Sequence, residues 1–416
     1  MHYDKPAPSA NAADRVRVEA TARRRRILSG DWKEDARQYT AKHYAREGLD
    51  YLPPVTIERN PLKNLTGQLA TLYDVAPTVT TTTPAPPPSP LVTARLLALW
   101  PQLLFMVIGL NECAVRLDVL PDGRIAYRMV TPDVLRDVTP DDHEPDRPVA
   151  LRELRWLRRP GREGWAYEVF DVRDPDAPIF KVIEVDGDAE ADATALYYPA
   201  LAPGDYPWRA LPVDGEEIGR PILPYVLYHL RVNGQLFNPL DGEELVEGTL
   251  GIAMKATGAN QGQRDLAFPQ RYILNARLAG ARADKDTGGR VTVSPLAILE
   301  LEGTNGQPGN VGEWGSSFDP VKAITALDMQ EAALSSFAGL TPADMNLSAA
   351  SSGAARVISK EGLRRVRLAR ELSQRMGDQE LLSKAAALFN AGQGEHVYPE
   401  NPDDWQIIYN ELEPMA

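Results

Sequence analysis

One cysteine in 416 residues, Cys113, leaves the chain without an intrachain disulfide, and a reducing compartment is the expected setting. Basic charge is also short: 45 Lys and Arg against 58 Asp and Glu give a formal net charge of −13. That balance argues against a protein whose main task is tight binding of a nucleic-acid backbone, which needs a basic surface. Long apolar runs are missing too. Leu91 to Leu110 is the most apolar stretch, yet Arg95, Pro101 and Gln102 interrupt it, so it predicts two buried helical turns and no membrane span. Met1 to Ala20 is polar and lacks the apolar centre of a signal peptide.

Catalytic signatures are equally scarce. Gly303 to Gly312 is glycine-rich, but no Lys followed by Ser or Thr closes it, so it is not a phosphate-cradling loop; Gly258 to Gly262 fails the same test. The histidines, His2, His43, His143, His229 and His396, are scattered, with no HExxH spacing and no cysteine partner. Asp141, Asp142, His143 and Glu144 are residue types that metals take, but in this setting they read as an exposed loop. Ser351-Ser352-Gly353 has neither the G-x-S-x-G match nor the strand–turn–helix context of a nucleophile elbow. The expectation is a protein that is not an enzyme and takes no cofactor and no metal.

What the chain does have is a long helical stretch from Asp319 to Ala391. Asp319-Pro320 is a start signal: the carboxylate accepts from orphan N–H groups, and proline fits the first helical position. Val321, Ile324, Leu327, Leu334 and Phe337 follow at three- and four-residue offsets, predicting one apolar stripe. Gly339 supplies a stop and Pro342 blocks resumption. Asn346 to Gly353 is small and polar. A second helical run then sets Leu368, Leu372 and Met376 four apart, with Leu382, Ala386 and Phe389 at similar offsets. Its middle is basic through Lys360, Arg364, Arg365, Arg367 and Arg370, and Gly362 and Gly377 are its expected weak points.

Upstream, residues 1–20 are rich in Pro, Ala, Ser and Asn and predict a mobile arm, drawn here to residue 26. Arg23 to Arg26 read first as a solvated helix face, with contact to nucleic acid or an acidic neighbour as the functional reading. Trp32 to Leu52 is a charged amphipathic helix. Leu62, Leu65, Leu69 and Leu72 keep helical spacing until Pro77, and Thr78 to Pro90 is a Pro-rich extended surface loop. Between Glu112 and Tyr198 the pattern is that of antiparallel strands, with Pro121-Asp122-Gly123 as a hairpin turn and Leu151 to Leu157, Tyr167 to Val172 and Ile179 to Val185 alternating. Asp188 to Asp192 reads as a solvated loop. Tyr225 to Tyr228 is a short buried strand after Gly219-Arg220-Pro221. Asp241 caps a helix to about Ala267, whose Gly248, Gly251, Gly258 and Gly262 require close neighbours. Arg271 to Leu274, Arg290 to Val293 and Ala297 to Leu301 are strand-like, and Val397 to Glu413, with Trp405 and Ile407-Ile408-Tyr409, predicts one docked strand.

A capped helix, a Ser/Ala/Gly loop and a long basic helix, in that order, resemble the end of the core of tailed-bacteriophage portal proteins. NPLKNLTGQLATLYDVAPTV, beginning at Asn60, is similar to the family's helix that leads into a P-x-V exit. TPDVLRDVTPDDHEPDRPVALRELR resembles the β-rich part of the wing, and Gly219 to Pro224 the turn before the first stem helix. The resemblance covers roughly Ile27 to Ala391 and rests on the order of the pieces. It implies an α+β portal fold with an α/β wing, a two-helix stem, a small α/β clip and a short helical crown. On that pattern the wing spans 27–240, the first stem helix 241–270, the clip 271–317, the second stem helix 318–338, the tunnel loop 339–353, the long wing/crown helix 354–391 and the tail 392–416.

The functional implications are those of the ring at a unique capsid vertex. It would be a homo-oligomer of about twelve subunits with double-stranded DNA in its channel. Its partners would be the terminase large subunit, a head-tail adaptor, and the major capsid and scaffolding proteins, with no membrane. The setting is the virion, assembled in the bacterial host cytoplasm, or a related gene-transfer particle. Asn346, Leu347, Ser348, Ser351 and Ser352 would form the tunnel loop, and Glu243, Glu247, Asp328 and Glu331 the channel wall. Lys360, Arg364, Arg365 and Arg367 would contact DNA, with salt bridges to neighbouring subunits as the other account of that charge. The alternatives are a monomeric structural or scaffolding protein, or a capsid maturation enzyme with a nonstandard site.

Overall fold

The computed structural model describes residues 7–46, 52–159, 162–186, 189–212, 216–267, 270–274, 276–278, 301–303, 310–314, 318–340 and 353–410. Two compact units divide the chain. One combines Met1–Trp32, Pro61–Val246 and Ser335–Ala416; the other combines Lys33–Asn60 and Glu247–Leu334. The class is α+β, as expected.

In chain order, α1 (Arg15–Ser29), α2 (Lys33–Arg46) and α3 (Pro61–Leu69) precede β1 (Thr78–Thr81) and α4 (Ala94–Leu110). Then come β2 (Glu112–Val119), β3 (Ile125–Val130), β4 (Leu135–Pro140), β5 (Pro148–Arg159), β6 (Arg162–Asp171), β7 (Ile179–Asp186) and β8 (Ala189–Asp192). The one-turn helix α5 (Thr194–Tyr197) and β9 (Tyr225–His229) follow. After them run α6 (Glu243–Ala267), β10 (Gln270–Leu274), β11 (Ala276–Leu278), β12 (Leu301–Gly303), β13 (Asn310–Trp314) and α7 (Pro320–Phe337). The described chain closes with α8 (Gly353–Gln393) and β14 (Trp405–Ile408).

Besides the two-stranded pair β1-β14, the first unit holds two larger antiparallel sheets, ordered β3-β2-β9 and β4-β5-β6-β7-β8. Alternation drives them: along β7, Phe180 and Val182 are buried while Ile179 and Lys181 face out. A buried ionic network joins the sheets. Arg116 on β2 is bound by Glu153 on β5 and Glu168 on β6, and Arg128 makes a two-pronged bond to Glu153 at 2.6 and 2.8 Å. Burial alone would raise the Glu168 carboxyl, but the guanidiniums of Arg116 and Arg155 bring it down to about 2. Phe170, Trp208 and Tyr225 surround Arg116 with ring centroids 5.2, 5.9 and 5.7 Å from its guanidinium carbon.

Helix α8 crosses this unit as 41 continuous residues, about 60 Å long. Gly377 is not the weak point expected. A Cβ there would lie 2.6 Å from the Tyr228 ring, so the glycine is the condition for β9 to touch the helix. One residue on, the fully buried Asp378 accepts hydrogen bonds from the hydroxyls of Tyr73 (2.6 Å), Tyr409 (2.7 Å) and Tyr228 (2.9 Å). Burial pushes this carboxyl up to about 6, and the three phenols oppose that only in part.

Several expectations change. The mobile arm over 1–26 gives way at residue 15 to α1, where Arg17 is buried and donates to the Pro132 and Leu135 carbonyls. The four-arginine run is a solvated face only in part: Arg25 and Arg26 are exposed, with Arg25 paired to Asp133 at 2.9 Å, whereas Arg24 is buried against the Asp241 carbonyl. Leu91 to Leu110 yields one 17-residue helix, capped by Thr93, with Pro101 inside it; burial of Trp100, Leu103, Leu104 and Val107 outweighs the lost hydrogen bond. Asp188 to Asp192 includes the edge strand β8. Thr78 to Thr81 is a strand paired with β14 in the register Thr78↔Ile408, so the docked C-terminal strand expected from Trp405 has its partner there.

The apolar stripe on α7 is split: Leu327 and Leu334 are buried, whereas Val321, Ile324 and Phe337 are exposed. On α8 Leu368, Leu372 and Met376 are exposed while Leu382 and Ala386 are buried. Arg290 to Val293 and all of the expected Ala297 to Leu301 strand except Leu301 lie outside the described residues; the strands described between α6 and α7 pair as β10–β13 and β11–β12.

The Asp378 cluster sets a pH expectation. Its folded-state pKa lies above the unfolded value of 3.8, so its favourable contribution is complete below that value and is lost as pH rises through about 6. In urea unfolding, wild type minus Asp378→Asn should therefore be more favourable near pH 5 than near pH 7.5, by on the order of 1–3 kcal/mol. A paired test addresses Gly377. Gly377→Ala should cost about 1–3 kcal/mol through collision with Tyr228. Gly67→Ala in α3, where a Cβ meets nothing within 4 Å, should be neutral or stabilise by up to about 1 kcal/mol.

Candidate functional site

The second unit contains most of α6 and α7, the two helices of greatest functional interest. Asp319 accepts from the Val321 N–H at 3.0 Å and the Lys322 N–H at 3.2 Å, so α7 starts at the cap expected. Gly339 ends the turn after it with φ 79°, its N–H bonded to the Ser336 carbonyl. The glycines of α6 fall into two groups. A Cβ at Gly248 would enter the Leu334 side chain, and one at Gly262 would lie 2.7 Å from the Phe318 ring. Those two approaches pair the start of α6 with the end of α7 and the reverse, which makes the helices antiparallel. Gly251 and Gly258 would meet only the Tyr39 and Tyr44 hydroxyls, at ordinary distances.

An extended segment, residues 52–60, straps this pair. The Thr56 N–H donates to Thr257 Oγ1 at 2.9 Å, and Asn260 Nδ2 donates to Thr56 Oγ1 at 2.8 Å, both on α6. Arg59 then reaches α7, bonding Asp328 at 2.7 Å and Glu331 at 3.0 Å. Hydrogen bonds to these two carboxylates raise the Arg59 pKa.

The channel-wall candidates thus differ in their surroundings. Asp328 is exposed and Glu331 half-buried, and one guanidinium serves both. Glu247 is exposed. Glu243, in the first turn of α6, is bound by Arg23 and Arg24 of α1, and a carboxylate there also suits the helix dipole. Its charge is balanced within the first unit. Around it, Asn111 Nδ2 bonds the carbonyls of Asn238 and Asp241 at 2.8 Å each, and the Asn238 N–H donates to Glu112 at 2.8 Å. Burial pushes the Glu112 carboxyl up to about 7 against the Asn238 donors and the Arg24 charge.

Among the basic candidates, Arg364 and Arg365 are exposed on α8, while Arg367 donates to the Asn410 carbonyl at 2.8 Å. Arg370 is turned inward towards the Leu69 carbonyl, and burial lowers its pKa to about 10. Lys360 lies on the same helix, outside the side chains described. The tunnel-loop residues Asn346, Leu347, Ser348, Ser351 and Ser352 lie outside the described residues altogether.

Sequence reasoning missed Arg59, Asn111, Glu112 and Asn238. Arg59 is one cation beside Asn60-Pro61, and its partners lie about 270 residues away, so no local spacing marks it. Glu112 opens a strand-like run and reads locally as an ordinary edge charge.

Two clefts indent the first unit. The larger, about 590 Å³, is lined by charged side chains that pair with one another: Arg147 with Glu380 at 3.4 Å and Lys384 with Glu380 at 2.8 Å. The second, about 570 Å³, is walled by Tyr197, Tyr198, Pro199, Pro207 and Trp208. His229 on β9 is buried opposite Glu112 in the β2–β9 register; its Nε2 lies 3.0 Å from the Asp146 carbonyl, and burial lowers its pKa. The Cys113 thiol is buried and pushed up in pKa. Among the described residues no group of three His, Cys, Asp or Glu is placed to hold a metal, and no helix is long and apolar enough to cross a membrane.

The Arg59 clamp is testable through salt. Arg59→Ala should lower stability by about 0.5–1 kcal/mol at low ionic strength, as for partly exposed ion pairs. The loss should shrink near 1 M salt, where the screening length is about 3 Å. Thermal unfolding of both proteins at the two salt concentrations reads it.

No protein-family model matches the chain, and no curated protein matches it.

Proposed function

We propose that this chain is the subunit of a portal ring. About twelve copies would close around an axial channel at one capsid vertex, through which double-stranded DNA is packaged and later ejected. The terminase large subunit docks on the ring during packaging and a head-tail adaptor afterwards, while the major capsid and scaffolding proteins surround it during assembly in the host cytoplasm. On this reading the wing is the sheet-rich part before α6, α6 and α7 form the stem, the strands between them the clip, and α8 with the tail the wing/crown end. The protein hydrolyses nothing itself.

The observation that carries the reading is apolar surface that the chain leaves uncovered on its helices. Val321, Met329 and Phe337 on α7 are 70, 69 and 72 % exposed, and Leu372 on α8 is 64 % exposed. Burying a side chain of this kind is worth about 1.5–3 kcal/mol, so neighbouring copies packed on these faces would gain substantially. The acidic balance supports the channel part. A ring of about twelve would carry on the order of −150 charges, which lets DNA slide without trapping it. Exposed arginines such as Arg364 and Arg365 would hold the duplex transiently, and Arg59 tempers the acid of Asp328 and Glu331.

The test is assembly. The purified chain should sediment at roughly twelve times its 45.8 kDa mass and show end-on rings with a central hole in negative stain. Leu372→Glu should dissociate the rings while leaving circular dichroism unchanged. A wild-type protein that is well folded yet monomeric at micromolar concentration would rule the portal reading out and favour the monomeric structural alternative.

A further inference from the structure

The cleft at Tyr197 and Trp208 has a specific chemistry. The Tyr197 hydroxyl donates to Glu184 at 2.7 Å and the Tyr198 hydroxyl to Glu168 at 2.8 Å, so both phenols are tethered at their far ends. Trp208 is clamped edge-on by Phe170 and Phe180, with centroids 5.1 and 4.8 Å away. Its indole N–H donates to no acceptor among the described residues. Pro199 and Pro207 complete a wall of rigid rings. The charges at the cleft are already matched: Arg116 with Asp118, Glu153 and Glu168, and Arg155 with Glu168. A charged ligand would disturb that balance, whereas an uncharged one leaves it intact. Fixed aromatic rings, a free indole donor and internal neutrality suit a polyproline II segment, whose ridges stack on rings and whose carbonyls accept hydrogen bonds.

The chain carries a proline-rich segment on its own surface. Thr83-Pro84-Ala85-Pro86-Pro87-Pro88 has no charge, and Pro84, Pro86 and Pro87 are exposed. Its two ends are anchored: the Thr82 N–H donates to the Asp404 carbonyl at 2.9 Å, and the Pro88 carbonyl accepts from the N–H groups of Leu91 and Val92. The Tyr398 hydroxyl also donates to the Pro87 carbonyl at 3.0 Å. Pro84 and Pro87 are three residues apart, so in a polyproline II helix they lie along one edge. None of these residues lines the cleft of the same copy. Proline has little conformational freedom to lose on docking, which favours even a small contact.

We propose that this cleft is a polyproline-binding groove and that its occupant is Thr83–Pro88 of a second copy of this chain. The contact requires neither a closed ring nor DNA, so it stands or falls apart from the portal reading.

The test uses the full chain carrying Pro84→Ala and Pro87→Ala as receptor, so that its own segment does not compete. The probe is a fluorescein-labelled peptide with the sequence of residues 79–92. Saturable anisotropy is expected, weakened at least tenfold by Tyr197→Ala in the receptor or by the same two Pro→Ala changes in the peptide. Tyr197→Phe, which keeps the ring, should retain binding and shows that the site is intact. Should Tyr197→Ala fail to fold, Leu201→Arg at the cleft wall replaces it. Absence of saturable binding, or equal binding by Tyr197→Ala, overturns the groove. An unrelated P-x-x-P peptide with basic flanks binding more than tenfold tighter than the chain's own segment overturns the occupant. Rings that form without peptide binding refute only this inference; peptide binding by a protein that self-associates without closing rings refutes only the ring.

Discussion

Asp378 is a carboxylate with no exposure to water and three tyrosine hydroxyls around it. Those hydroxyls come from the turn after α3, from β9 and from the segment after β14, so pieces some 335 residues apart meet on one side chain of α8. A buried carboxylate left without donors is strongly unfavourable, which makes the three phenols a condition of the arrangement rather than an addition to it. Gly377 belongs to the same constraint, because only a residue without a Cβ lets the Tyr228 ring reach the helix. Trp100 stacks on Tyr73 at 5.6 Å, and through that ring the node also holds α4.

Charge is handled in the same way elsewhere in the first unit. The interior holds Arg116, Glu153 and Glu168, all nearly free of solvent, but each guanidinium faces carboxylates and each carboxylate faces guanidiniums. Removing one partner would leave the other buried and unpaired, which costs more than the pair contributes. The surplus of 13 negative charges therefore sits mainly on the surface, where it acts on partners and solubility more than on the fold.

Surface and function meet on the helices. α7 and α8 bury some large apolar residues and leave others exposed, and the proposed ring would cover the exposed ones. The proposed ring and the proposed polyproline contact both answer to surfaces of this kind, one helical and one built of rings. The basic side chains of α8 divide similarly: Arg364 and Arg365 look outward, while Arg367 and Arg370 serve the fold.

Local signals in the sequence determined the helix starts and stops and the strand alternation. Asp319-Pro320 caps α7 because the cap needs only neighbouring residues, Gly339 ends its last turn for the same reason, and Phe180 and Val182 alternate because strand period is local. The candidate site was legible only as helices bearing acids and arginines. Which of those charges remain available was decided by residues distant in sequence: Arg23 and Arg24 take up Glu243, and Arg59 takes up Asp328 and Glu331. The same holds for Thr78 to Thr81, a loop by composition and a strand only because Trp405 to Ile408 lies beside it. Periodicity reports which face of a helix is apolar, but not whether that face meets its own chain, as at Leu334, or stands open, as at Phe337. Burial depends on what else the chain brings to that point in space, and only the tertiary structure holds that information.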